Sequence, residues 1–204
     1  MKKTLLTALL ALTTCTMFAL SPVTLEGKFN IKKAKKQVST FRFDWDKTKV
    51  GSIDDGVFVN TPQPIDEYLA YEDQKKINEG KPEDANFVRD WPGIKQEAED
   101  LFKKTWNKEF KKGLQLTRNE AEADYDLVFV IEGLDFGNIA GSMFGWGNAG
   151  GAIIKGYATL KDRKSGAEVL HMNINHVQGP GHFSDRYRVI LVLNELVDEI
   201  EDAY

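Results

Sequence analysis

The spacing of apolar and polar residues changes several times along the chain, and each change predicts an element. In VSTFRFDWD, Phe41, Phe43 and Trp45 alternate with Arg42, Asp44 and Asp46, the period of a half-buried strand. Thr48 to Asp90 follows no single period; Pro62, Pro64 and Pro82 with Gly51, Gly56 and Gly80 break it into pieces. Within it, Ile65–Ile77 suits a polar helix carrying Tyr68, Leu69 and Ile77 inward. After Trp91-Pro92-Gly93 the apolar residues Ile94, Ala98, Leu101, Phe102, Thr105, Trp106 and Phe110 recur three and four apart. This predicts an amphipathic helix closed by Gly113. DYDLVFVIEGLDF (124–136) has an unbroken apolar centre from Leu127 to Ile131, as in a central strand. GAIIKGYATLKD and AEVLHMNINHV flank the turn residues 162–166 and predict a hairpin. At the C-terminus Val189, Val192, Leu193, Leu196, Val197 and Ile200 share one helical face, behind Ser184 as a cap and Asp185 at the helix start.

The order is strand, irregular excursion, helix, strand, hairpin, helix. Two one-sided helices and a sheet bury one another most simply as an α+β two-layer sandwich. The expected sheet is mixed or antiparallel with about four strands, both helices lying on one face. Residues 21–37, with five lysines between Lys28 and Lys36, read as an exposed basic lead-in, and 38–204 as a single α/β domain.

Residues 1–20 have the build of a signal peptide: Lys2 and Lys3, an apolar stretch from Leu5 to Leu12, a second from Met17 to Leu20, then small or turn residues. An exported, periplasmic or outer-membrane-associated protein is expected. Leu12-Thr13-Thr14-Cys15 is a degenerate lipoprotein box, and membrane association is expected only if Cys15 carries lipid. Cys15 is the only cysteine, so a chain cut near residue 20 has no disulfide, thiol nucleophile or cysteine-bound metal. The 27 Lys and Arg residues face 31 Asp and Glu residues, and removing Lys2 and Lys3 makes the balance more acidic. Nucleic acid, which demands a positive surface, is therefore not an expected partner.

The glycine-rich run 137–151 contains Gly145-x-Gly147-x-x-Gly150, the letters of a dinucleotide fingerprint. A fingerprint needs a strand directly before it and a helix directly after, whereas here the strand-like AIIKGYATL follows, so no cofactor is expected. Met143, Phe144 and Trp146 are either a lid on the core or the candidate partner-binding residues of an apolar loop. Strict alternation sends His171 and His176 to opposite faces, and no metal site is expected from them or from His182. Asp44-x-Asp46-x-Thr48 begins like a calcium loop but lacks its glycine and its final glutamate. Asp44, Asp46, Glu132 and Asp135 are the acidic residues that could line one end of the sheet.

From Asp124 to about Ile200 the features follow a fixed order. An acidic residue precedes an apolar strand (Ala123 to Val128), then come a glycine-rich loop, a strand, the turn Asp162-Arg163-Lys164-Ser165-Gly166-Ala167-Glu168-Val169-Leu170, another strand and an apolar helix. This order resembles that of small exported bacterial envelope proteins and lipoproteins, themselves similar to the N-terminal fold of the curli-secretion lipoprotein family. Ala167 departs from the family's turn by displacing the glutamate one place. The resemblance implies a noncatalytic binding or assembly role in the cell envelope, with an envelope component as partner, and transfers no active-site residue. The alternative is a periplasmic hydrolase, carboxylate-dependent or metal-assisted.

Overall fold

The computed structural model describes residues 21–137, 150–182 and 184–204. The strands are β1 (Val23–Gly27), β2 (Val38–Asp44), β3 (Lys49–Val50), β4 (Ile53–Asp54), β5 (Val57–Phe58), β6 (Gln63–Pro64), β7 (Gln115–Thr117), β8 (Tyr125–Asp135), β9 (Ile153–Asp162) and β10 (Glu168–Gln178). The helices are α1 (Ile65–Asn78), α2 (Phe87–Glu109) and α3 (Asp185–Asp202).

The expected sheet of about four strands with two helices is corrected. Among the described residues the main sheet has eight strands in the order β1-β10-β9-β8-β2-β7, with β3 and β6 attached, beside a separate β4–β5 ribbon and three α-helices. The pairing is mixed: β1, β10, β9 and β8 run antiparallel in turn, while β2 lies parallel to both β8 and β7. The additional strands escaped the reading because β3 to β6 have two residues each and β7 three, too few to display a period.

The 21–37 segment belongs to the fold. β1 pairs with β10, and Ile31 is fully buried while the lysines around it stay exposed. Asn175 ties the start of the segment down, donating from N to Pro22 O at 2.8 Å and from Nδ2 to Ser21 O at 2.9 Å.

Alternation along the long strands divides the sheet into two faces. Phe41, Phe43, Leu127, Phe129, Ile131, Ala158, Leu160 and Met172 are buried, whereas Thr40, Asp126, Val128, Val130, Tyr157, Thr159 and Asn173 are only partly covered and Arg42 is exposed. α2 packs on the buried side through Phe102, whose ring makes edge contacts with Phe43 at 5.0 Å and Phe129 at 5.1 Å. Trp106 follows one turn later, fully buried, its Nε1 donating to Leu114 O at 2.9 Å. All six apolar residues expected on the inner stripe of α3 are buried.

Two helix starts differ from expectation. α2 begins before Pro92, at Phe87, because Asp73 of α1 supplies the cap: its carboxylate accepts from Phe87 N at 2.7 Å and Val88 N at 3.1 Å. Ser184 occupies the cap position of α3 but makes no capping hydrogen bond with its side chain. In α1, Ile65 and Leu69 are buried and Tyr68 partly so, while Ile77 faces solvent. The hairpin turn is as the residues suggest: Asp162 Oδ1 accepts from Lys164 N, Ser165 N and Ser165 Oγ, and Gly166 takes φ +70°.

Candidate functional site

Met143, Phe144 and Trp146 lie outside the described residues. The frame from which that segment leaves and to which it returns is described. Gly137 has φ +75°, and a Cβ there would meet Gly151 O at 2.4 Å; a Cβ on Gly151 would lie 1.8 Å from Gly179 O. The ends of β8, β9 and β10 thus meet backbone to backbone, which side chains would prevent.

Arg188, only 2% exposed, closes this frame from the first turn of α3. Its Nη1 donates to Gly150 O at 3.2 Å and its Nη2 to the Asp185 carboxylate, while Nε has no partner among the described residues. Burial pushes the guanidinium below its ordinary value, opposed by the nearby Tyr68 and Asp135. Burial, with Glu72 and Asp135 adding, raises the Tyr68 hydroxyl to about 12 despite Arg188. The Tyr68 ring stacks on Phe136 at 5.2 Å. Asp135 is a staple: Oδ1 accepts from Gly137 N at 2.7 Å and Oδ2 from Ile53 N at 3.1 Å.

The other acidic and imidazole groups named from the sequence occupy separate places. Asp44 Oδ1 accepts from Asp46 N at 3.1 Å, and Glu132 lines a small cleft beneath the β4–β5 ribbon. His171 stacks on Tyr157 at 5.6 Å, and His176 Nδ1 accepts from Gly56 N at 3.3 Å. The expected opposite facing of these two histidines is corrected, since the irregularity between Ile174 and Val177 brings both to the open face. His182 Nδ1 accepts from Ser184 N at 3.0 Å, away from both. No group of three or more His, Cys, Asp or Glu residues able to hold a metal occurs among the described residues.

The open face carries a cleft of about 480 Å³. Register builds it: Lys161 pairs with Asp126, Asp126 with Thr40, and Thr40 with Thr117, so one row of outward side chains crosses β9, β8, β2 and β7. Arg42 and Val128 stand in the adjoining row, and Arg118 and Glu120 flank the mouth. Asp126 accepts from Thr40 Oγ1 at 2.5 Å and faces Arg163 Nε at 3.5 Å; Arg118 pairs with Asp100 at 2.9 Å and lies over the Phe41 ring. Arg42 and Lys161 make no ion pair among the described residues and remain exposed. Two unpaired cations beside threonine hydroxyls suit recognition of an anionic partner. No local motif announces this cleft, because its members come from four strands spread over some 120 positions.

No family model matches the sequence, and no curated protein matches it. Among solved structures, the chain is similar to the PelC dodecamer protein of Paraburkholderia phytofirmans, at 12% identity and TM-score 0.41, over 86% of this chain and 96% of that one. A second similarity is to protein XCC0632 of Xanthomonas campestris, of family DUF330, at 11% identity and TM-score 0.32, over 85% and 84%. At TM-scores below 0.5 these likenesses assign no activity.

Proposed function

We propose that this chain is an exported, noncatalytic binding or assembly protein of the bacterial cell envelope. The observation carrying the binding role is the open-face cleft, which keeps Arg42 and Lys161 unpaired in front of solvent while Asp44, Asp135, His176 and His182 accept hydrogen bonds from backbone N–H groups. Export is supported by Lys2 and Lys3 ahead of the apolar stretch. In this reading Met143, Phe144 and Trp146 give a second, apolar contact.

The test is cross-linking in intact source cells, followed by fractionation and identification of what co-purifies. A specific envelope component captured by the parent chain, and lost when Met143, Phe144 and Trp146 are all replaced by Ser with the cooperative melt intact, supports the reading. Recovery in the cytoplasm removes export. Loss of the cooperative melt in the triple variant assigns those side chains to the core.

A further inference from the structure

The lane of the sheet outside β2 is incomplete. β7 flanks only Val38–Thr40. Farther along, β3 continues the line of β2 against β8, and β6 flanks β3 at Lys49 and Val50 on the side away from β8. Between β7 and β6, the stretch Phe41–Asp44 has β8 on one side and no strand on the other among the described residues. Four residues at about 3.3 Å each leave an open edge roughly 13 Å long, the length of a short added strand.

The 480 Å³ cleft opens beside this edge, at the point where β7 stops at Thr117. A strand laid along Phe41–Asp44 would place alternate side chains on the open face beside Arg42, within the field of Lys161. Arg118, which leans on Phe41 and is held by Asp100 and Glu99, flanks the gap on the α2 side. The chain as a whole is acidic, net −4, so the unpaired Arg42 at this edge, with Lys161 across β8 on β9, is a local exception that favours a negatively charged partner.

We infer that the gap beside Phe41–Asp44 takes an extended acidic segment of a partner protein, added to the sheet as a strand between β7 and β6 with its carboxylates toward Arg42 and Lys161. This rests on the binding role proposed above. Backbone hydrogen bonds along the edge supply attachment, and alternate carboxylates supply selectivity.

The probe is a fluorescein-labelled six-residue peptide alternating aspartate and valine, read by anisotropy, with amide exchange of the full mature chain followed by NMR. Binding with slowed exchange at Phe41 and Phe43, whose amides face the gap, weakened about tenfold or more by Arg42→Glu combined with Lys161→Glu, is the expected result. Both substituted residues are exposed, and an unchanged melt shows that the variant is folded. The same peptide with N-methylated backbone should not bind. Equal binding by that peptide, or by hexagalacturonate as an anion without amides, overturns strand addition, because the surface then reads charge alone. Unchanged affinity in the double variant overturns the location. If a photo-cross-linker at position 42 captures an envelope protein in cells while the peptide fails, strand addition is wrong and the broader binding role survives. Failure of both removes this surface, and the binding role then stands or falls with the glycine-segment test above.

Discussion

The two faces of the sheet use the same strands for different ends. On the buried face Phe43 and Phe129 stack at 4.6 Å and Phe102 closes over both, joining β2, β8 and α2 in one aromatic cluster. On the open face the neighbouring positions are Arg42, Asp44, Val128 and Val130, linked by few contacts and partly wet. Stability should therefore be concentrated on one side of the pleat and tolerance to change on the other, which leaves the open side free to be shaped by a partner.

The contrast can be broken most forcefully at Phe102. Phe102→Ala removes a ring of zero exposure and should lower stability by about 3–5 kcal/mol, read from the urea midpoint. Gly151→Ala comes next: its new Cβ would meet Gly179 O at 1.8 Å, so a loss above ~1 kcal/mol is expected in the same measurement. At Arg188 two substitutions separate charge from packing. Arg188→Met should stay within about 1 kcal/mol of the parent, because Asp185 remains near solvent and no buried anion is stranded. Arg188→Ala should fall roughly 2 kcal/mol below Arg188→Met through lost packing.

A smaller effect depends on pH. Burial first, then the negative charges of Glu109, Glu201 and Asp202, raises the Asp198 carboxyl above its ordinary value. The folded chain then binds the proton more tightly than the unfolded one, so stability rises as pH falls from above the folded value toward the unfolded value. Asp198→Asn should raise the melting temperature slightly at neutral pH, and the gain should shrink as pH drops through the carboxylate range. The smallest change expected is on the open face, where Thr159→Ala should shift stability by less than ~0.5 kcal/mol by thermal melt. A larger loss there would mean that this face carries part of the core after all.

The readable parts of the fold were those with a long period. The α3 stripe, the buried face of α2 and the β9–β10 hairpin each run for ten residues or more. What could not be read depended on partners distant in the chain. The start of α2 needs Asp73, fourteen residues before Phe87, and β1 becomes a strand only because β10 lies beside it. Arg188 sits among apolar neighbours on α3, where its charge alone would predict solvent. The cleft was hidden for a related reason: Thr40, Thr117, Asp126 and Lys161 meet through register, which no local pattern reports. The acidic and histidine candidates were identifiable by type, but the backbone donors they meet, such as Ile53 for Asp135 and Gly56 for His176, were not.

The pairing of β1 with β10 also constrains the order of assembly. Val23 meets Ile174, so the strand nearest the start of the sheet waits for the last strand to emerge. Strands β8, β9 and β10 pair antiparallel in chain order and can form early, whereas β2 must wait for β8 and β1 must close a loop across most of the chain. A nascent chain would thus hold β1 unpaired until β10 has been made, a long interval in which a chaperone has exposed β-forming sequence to protect.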